Sequence, residues 1–172
     1  MRCVGRLKRI AVIFKAAIQL KNKYKFRILV LGNEIQGNKL QDKARSIGLD
    51  EFTFIGFHKD VRPVVSLFDV GFILSDSGET ISFAAREMLS MEKPLISSSF
   101  SGLKENISNG LNGYLVRPGN VEDVVAIMTK FMEMSKGELN LFSKRARLFS
   151  KRNFDVSNQI ENHRMVYKRI TK

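Results

Sequence analysis

Midway along the chain, Ser75-Asp76-Ser77-Gly78-Glu79-Thr80-Ile81-Ser82 leads into Phe83-Ala84-Ala85-Arg86-Glu87-Met88-Leu89, so that two glutamates stand with seven residues between them. An ionised carboxylate only accepts hydrogen bonds, which suits a ligand rich in vicinal hydroxyls. With Glu79 in a loop and Glu87 about a turn inside the following helix, both can face one cleft at different depths. One could then touch a sugar and the other a ribose. The helix start leaves backbone N–H groups without internal partners, and its partial positive charge favours a pyrophosphate. As an isolated pattern, two glutamates at this spacing also recur on solvated surfaces, so the surrounding elements have to decide.

Apolar residues at Ile10, Ile13, Phe14, Ala17 and Leu20 recur at helical spacing, whereas Phe26-Arg27-Ile28-Leu29-Val30-Leu31-Gly32 is a short apolar run ending in glycine. The same pairing repeats downstream. Helices are expected over Lys39 to Ile47, Asp60 to Phe68 and Ile81 to Met91. Strands are expected over Phe52 to Gly56, Val70 to Leu74, Pro94 to Ser97 and Tyr114 to Val116. The last third reads as helix near Val121 to Met134, Leu139 to Ser150 and Val156 to Ile170. Short, uniformly apolar strands alternating with helices predict an α/β fold: a doubly wound, Rossmann-like parallel sheet with helices on both faces and a helical C-terminus. Such sheets bind ligands beyond the carboxyl ends of their strands, which directs attention to the loops after Gly56, Leu74 and Ser97.

Composition narrows the chemistry. The 172 residues, 44 % of them hydrophobic, suit one domain. The formal charge of +12 favours anionic partners, and it is uneven: +9 over residues 1 to 27, −4 in the middle and +7 over residues 142 to 172. Cys3 is the single cysteine and His58 and His163 the two histidines, so a disulfide framework is excluded and a metal site has almost no ligands. No apolar run approaches the roughly 18 to 20 residues of a membrane span, and the residues from Met1 lack the apolar h-region and small-residue cleavage site of a signal peptide. The expected setting is cytoplasmic, with peripheral contact at the inner face of an anionic membrane allowed by the basic ends. Phe142, Phe149 and Phe154 among basic residues could suggest a nucleic-acid face, but a helix with an apolar stripe and a solvated basic rim explains them as well, and no nucleic-acid partner is expected.

The stretch from Glu79 through Glu87 to Lys93-Pro94 resembles the signature of the GT-B retaining glycosyltransferases, the large glycosyl transferases group one family. Phe100-Ser101-Gly102-Leu103-Lys104-Glu105 is similar to that family's Gly-Gly-x-x-Glu turn. Asn109-Gly110-Leu111-Asn112-Gly113-Tyr114-Leu115-Val116-Arg117-Pro118-Gly119-Asn120 resembles its Asp-Gly-x-Asn-Gly-x-Leu-Val-x-Pro-Gly-Asp run. Phe54-Ile55-Gly56-Phe57 with Asp60-Val61 resembles the loop that receives the nucleotide base, and Val4-Gly5-Arg6-Leu7 the end of the first strand of the family's second domain. The sequence departs from the pattern at Ser82 and at Glu92, where the family usually has glycine, and the phosphate loop after Arg6 is shortened so that Lys8 falls in register with a family lysine.

The resemblance covers nearly the whole chain but only the second half of a family member. It implies one C-terminal donor-binding domain over residues 1–172, with the acceptor domain absent and supplied by another chain or lost. It further implies a retaining transferase that takes a UDP-, GDP- or ADP-sugar and glycosylates a saccharide or lipid-linked acceptor in polysaccharide or lipopolysaccharide assembly, with no cofactor and no metal. By the same resemblance Arg6 and Lys8 neutralise the departing pyrophosphate and Glu79 holds the sugar as a catalytic residue. Glu87 holds the ribose, Thr80, Ile81 and Ser82 line the donor, and Phe57 and His58 face the base. His58 reads more readily as an exposed loop histidine than as a base contact. A non-catalytic nucleotide-sugar-binding module, or an inactive fragment, would use the same glutamates.

Overall fold

The computed structural model describes residues 7–32, 34–77 and 80–170, the side chains of residues 7–9 and 34–37 excepted. In chain order the elements are α1 (Leu7–Leu20), β1 (Ile28–Leu31), α2 (Glu34–Ser46), β2 (Phe52–Gly56), α3 (Arg62–Ser66), β3 (Gly71–Ile73), α4 (Phe83–Ser90) and β4 (Leu95–Ser98). A 3-10 helix (Ser101–Asn106) follows, then β5 (Gly113–Val116), α5 (Val121–Glu133), α6 (Lys136–Phe154) and α7 (Val156–Ile170). Strand and helix alternate as the apolar pattern predicts, and every strand pairing among the described residues is parallel.

Among the described residues the strands form two hydrogen-bonded groups, β1 with β2 and β3-β4-β5. Both groups lie between the same two apolar layers. Ile28 and Val30 of β1, Phe72 of β3 and Ile96 of β4 join one core with α1, α2 and α5. Leu31, Ile73 and Leu95 join the other with α3 and α4. Alternate residues of each strand therefore enter opposite layers, as a pleated strand covered on both faces requires. Of the strand end expected at Val4-Gly5-Arg6-Leu7, Leu7 instead opens α1, while Val4 to Arg6 lie outside the described residues, as does Cys3.

Helix ends follow local chemistry. Asn120 caps α5 by accepting from the Asp123 N–H at 2.7 Å. Ser135 and Glu138 form a capping box, which starts α6 three residues before the expected Leu139. At α3 the expected start at Asp60 moves to Arg62, because the Asp60 carboxylate turns back to the Arg62 N–H and guanidinium and keeps Asp60 outside the helix. Of the three C-terminal phenylalanines, Phe142 is buried against Tyr114 and Phe131, each ring 5.5 Å away. Phe149 meets Phe154, and the Arg86 guanidinium lies 4.5 Å from the Phe154 ring. Their apolar surface is thus spent on packing. In α7, by contrast, no residue is buried, and Val156, Ile160, Met165, Val166, Tyr167 and Ile170 are all exposed.

Candidate functional site

The carboxyl edge of the strands is built from the loops after β2, β3 and β4. The loop after β3 is tied down at its start: the Ser75 N–H donates to Ser98 Oγ at 3.0 Å, joining it to the end of β4. At its far end Ser82 has extended backbone and caps α4, its hydroxyl accepting from the Ala85 N–H at 3.3 Å. The serine that replaces the expected glycine is buried in this role, so the departure is accommodated by a cap. Thr80 and Ile81 are exposed beside it.

The pattern of α4 follows from its sequence. Ala85, Met88 and Leu89 are buried, which turns Phe83 and Glu87, one turn apart, to the outer face. Phe83 is 72 % exposed and Ile81 52 %, a large apolar surface for the entrance to a helix. No acidic residue stands in the first turn of α4 to neutralise its free N–H groups. Phe57, 75 % exposed, and His58 follow β2 on the same edge of the fold but in the other hydrogen-bonded group of strands. Glu79 and Arg6 lie outside the described residues. Lys8 falls in the first turn of α1, with its side chain outside them.

Behind the site stands a buried amide network, Asn106 with Asn112, of which the sequence motifs contain Asn112 and assign it no role. Asn112 is fully buried. Its Oδ1 accepts from the Ser108 N–H at 2.8 Å and its Nδ2 donates to the Asn106 carbonyl at 2.9 Å. Asn106, also buried, donates to the Gly102 and Leu103 carbonyls at 3.2 and 3.3 Å, and Arg86 of α4 donates to its Oδ1 at 3.5 Å. The 3-10 helix, the turn before β5 and α4 are thereby tied together. The sequence signal was the polar residue inside an apolar turn-and-strand stretch, Asn112 before Gly113-Tyr114-Leu115-Val116.

Glu92 also gains an explanation. It ends α4 with φ 64°, in the left-handed region, while its N–H donates to the Leu89 carbonyl at 3.1 Å and the Lys93 N–H to the Met88 carbonyl at 2.9 Å. This is a Schellman ending, in which glycine is the usual occupant. Lys93 then reaches across to the Ser66 carbonyl at 2.9 Å. Burial pushes its pKa down, against the opposing pull of Asp69 and Glu92.

A cavity of about 1070 Å³ lies elsewhere, between Phe26, Leu29, Val70 and Ile96 near the amino-terminal ends of the strands and Phe131 of α5. That is the opposite edge from the loops that carry Phe57, His58, Thr80, Ile81 and Ser82. Among the described residues no group of three or more His, Cys, Asp or Glu side chains could hold a metal ion. What the carboxyl edge offers is a capped helix start with open N–H groups, an exposed carboxylate one turn in and flanking apolar surface. These suit an anionic, hydroxyl-bearing ligand.

Comparison with known proteins points the same way. A sequence model of the family described as glycosyl transferases group 1 matches residues 1–134. An uncharacterized glycosyltransferase of Methanocaldococcus jannaschii is 22 % identical over 175 residues, covering 97 % of this chain and 44 % of the relative. Among solved structures, a glycosyltransferase from Rickettsia africae superposes with a TM-score of 0.82 at 21 % identity, over 99 % of this chain and 47 % of its own. Anabaena HepE in complex with UDP and glucose does so with a TM-score of 0.82 at 19 % identity, over 97 % and 47 %. At these identities the structures establish the fold, that of one half of a GT-B protein. The chain spans a little under half the length of each of these three proteins.

Proposed function

The chain belongs to the glycosyl transferases group 1 family, and we propose that it is the half of a retaining GT-B enzyme that holds a nucleoside diphosphate sugar, for transfer to a saccharide or lipid-linked acceptor. One observation carries the reading: the Ser82-capped start of α4 opens at the carboxyl edge of a parallel sheet with Ile81, Phe83 and Glu87 exposed around it. Support comes from Anabaena HepE, which shares the fold and whose structure holds UDP and glucose.

In this reading the acceptor hydroxyl oxygen bonds to the anomeric carbon while the bond from that carbon to the diphosphate oxygen breaks, and the hydroxyl proton passes to the departing diphosphate. The nucleoside diphosphate leaves with the electron pair. Charge builds on the leaving oxygen, where the α4 amino terminus together with Arg6 and Lys8 stabilises it. Glu79 accepts from the sugar hydroxyls and Glu87 from the ribose, while Phe57 and His58 flank the base. The acceptor is oriented by a second domain, against which the exposed apolar residues of α7 pack. Without it the chain alone is expected to show negligible transfer, since positioning supplies several kcal/mol of barrier reduction.

Calorimetry of the purified chain with UDP, GDP and ADP tests the proposal. One of them should bind at micromolar to millimolar strength, and Arg6→Ala should weaken that diphosphate far more than the corresponding nucleoside. No binding by any of the three would overturn the donor role. Equal losses for diphosphate and nucleoside would remove Arg6 from the phosphate site.

A further inference from the structure

The 3-10 helix and the loop before α4 meet with no side chain between them. A Cβ placed on Gly102 would stand 1.6 Å from the Thr80 carbonyl oxygen, 2.8 Å from its carbonyl carbon and 3.5 Å from its Cα. All three atoms are backbone, so no rotamer change relieves the overlap. Ser101, the residue before, has φ 43°, in the left-handed region, which brings the chain over at this point. From behind, the Gly102 carbonyl is held by Asn106 and Asn106 by Asn112, both buried. The 3-10 helix is therefore a fixed buttress, and its front is the α-carbon of Gly102 pressed on the Thr80 peptide.

Among the described residues of the loop from β3 to α4, three are held: Ser75 by Ser98, Thr80 by Gly102 and Ser82 by its cap on α4. The first and last are hydrogen bonds that any small shift of the loop could follow. The middle one is a steric stop, which sets how far the loop backbone lies from the 3-10 helix.

We propose that Gly102 is a positioning residue for the donor: the absence of its side chain seats the Thr80–Ser82 backbone at the depth from which it meets the diphosphate-sugar end of the ligand. This rests on the donor-binding reading above and adds to it the residue that sets the loop. A methyl group at Gly102 would force the Thr80 carbonyl back by more than 1 Å to reach ordinary contact. Displacements of about 1 Å in positioning groups can cost about a hundredfold in rate.

The test compares Gly102→Ala with Gly113→Ala. A Cβ on Gly113 would stand 2.3 Å from the Leu95 carbonyl oxygen, at the amino-terminal end of β5 and away from the loop. Both variants clash with backbone, but only one clash is at the donor. UDP-glucose, GDP-mannose, ADP-glucose and the corresponding nucleosides uridine, guanosine and adenosine are titrated by chemical-shift perturbation, with the folded fraction taken from circular dichroism. Gly102→Ala should weaken whichever nucleotide sugar the wild type binds by tenfold or more and its nucleoside by less than twofold. Gly113→Ala should lower the unfolding temperature and leave both affinities of the folded molecules within twofold.

If Gly102→Ala does not fold, Asn106→Ala serves, because it loosens the same buttress without a clash. It should show the same selective loss for the nucleotide sugar. Wild-type affinity for the nucleotide sugar in Gly102→Ala, equal losses for sugar nucleotide and nucleoside, or the same selective loss in Gly113→Ala would each overturn the assignment. Failure of the wild type to bind any of the three nucleotide sugars would overturn the donor reading itself.

Discussion

Replacing Asn112 with alanine removes two hydrogen bonds from the buried turn between the 3-10 helix and β5. Its Nδ2 donates to the Asn106 carbonyl at 2.9 Å in a fully buried setting, and its Oδ1 accepts from the part-buried Ser108 N–H at 2.8 Å. Truncation leaves a carbonyl and an N–H without those partners. A buried polar group so stranded costs about 1–3 kcal/mol, and the part-buried N–H less, since water can reach it. The expected loss is about 2–4 kcal/mol, which for a chain of this size lowers the unfolding temperature by roughly 4–16 °C. Asn109 supplies the control. Its Oδ1 accepts from the Leu115 N–H at 2.9 Å in an exposed position, where solvent replaces the bond, so Asn109→Ala should cost under about 1 kcal/mol. Thermal and urea unfolding followed by circular dichroism measure both. A loss for Asn112→Ala no greater than for Asn109→Ala would refute the network as a source of stability.

Glu87→Ala should weaken nucleoside diphosphate binding by roughly 1–3 kcal/mol in calorimetry if its carboxylate meets the ribose, and unchanged affinity would remove it from that role. Glu92→Gly should raise stability by about 0.5–1 kcal/mol in urea unfolding, because glycine adopts the observed φ of 64° without the steric penalty of a Cβ; a loss would show that Glu92 makes a compensating contact. Hydrogen bonds from the Arg117 side chain and backbone hold the Asp123 carboxyl at about 2, and those from Arg62 do the same for Asp60, below the ordinary 3.8. Both favour the charged form in the folded state, so their contribution is present above about pH 4 and fades as pH falls towards 2. Asp123→Asn should accordingly flatten the pH dependence of the unfolding temperature in that window, and an unaltered slope would count against the pairing. Deleting residues 156–170 should shift the unfolding temperature by less than about 3 °C, as no residue of α7 is buried, and a larger fall would show that the helix supports its own domain.

The sequence alone carried what depends on neighbours along the chain. Ile10, Ile13, Phe14, Ala17 and Leu20 recur at helical spacing and are all buried in α1, and the apolar run Phe52 to Gly56 is β2 to the residue. Parallel pairing was legible too, since short uniformly apolar strands separated by helices have few other ways to cover both faces. The capping box Ser135-x-x-Glu138 was equally readable and would have placed the start of α6 correctly. The motifs around Glu87 and Asn112 identified the family, and residue order was enough to put Thr80–Ser82 before a helix at the carboxyl edge. Tertiary structure decided the rest. That Ser82 serves as a buried cap, that Glu92 sits at positive φ and that Gly102 abuts Thr80 depend on backbone positions fixed by packing between elements far apart in sequence. The polar residues inside the apolar stretch show the same division. Composition marks Asn106 and Asn112 as costly to bury, but only the folded turn, by bringing an orphaned carbonyl and N–H to each side of one amide, turns that cost into a bond.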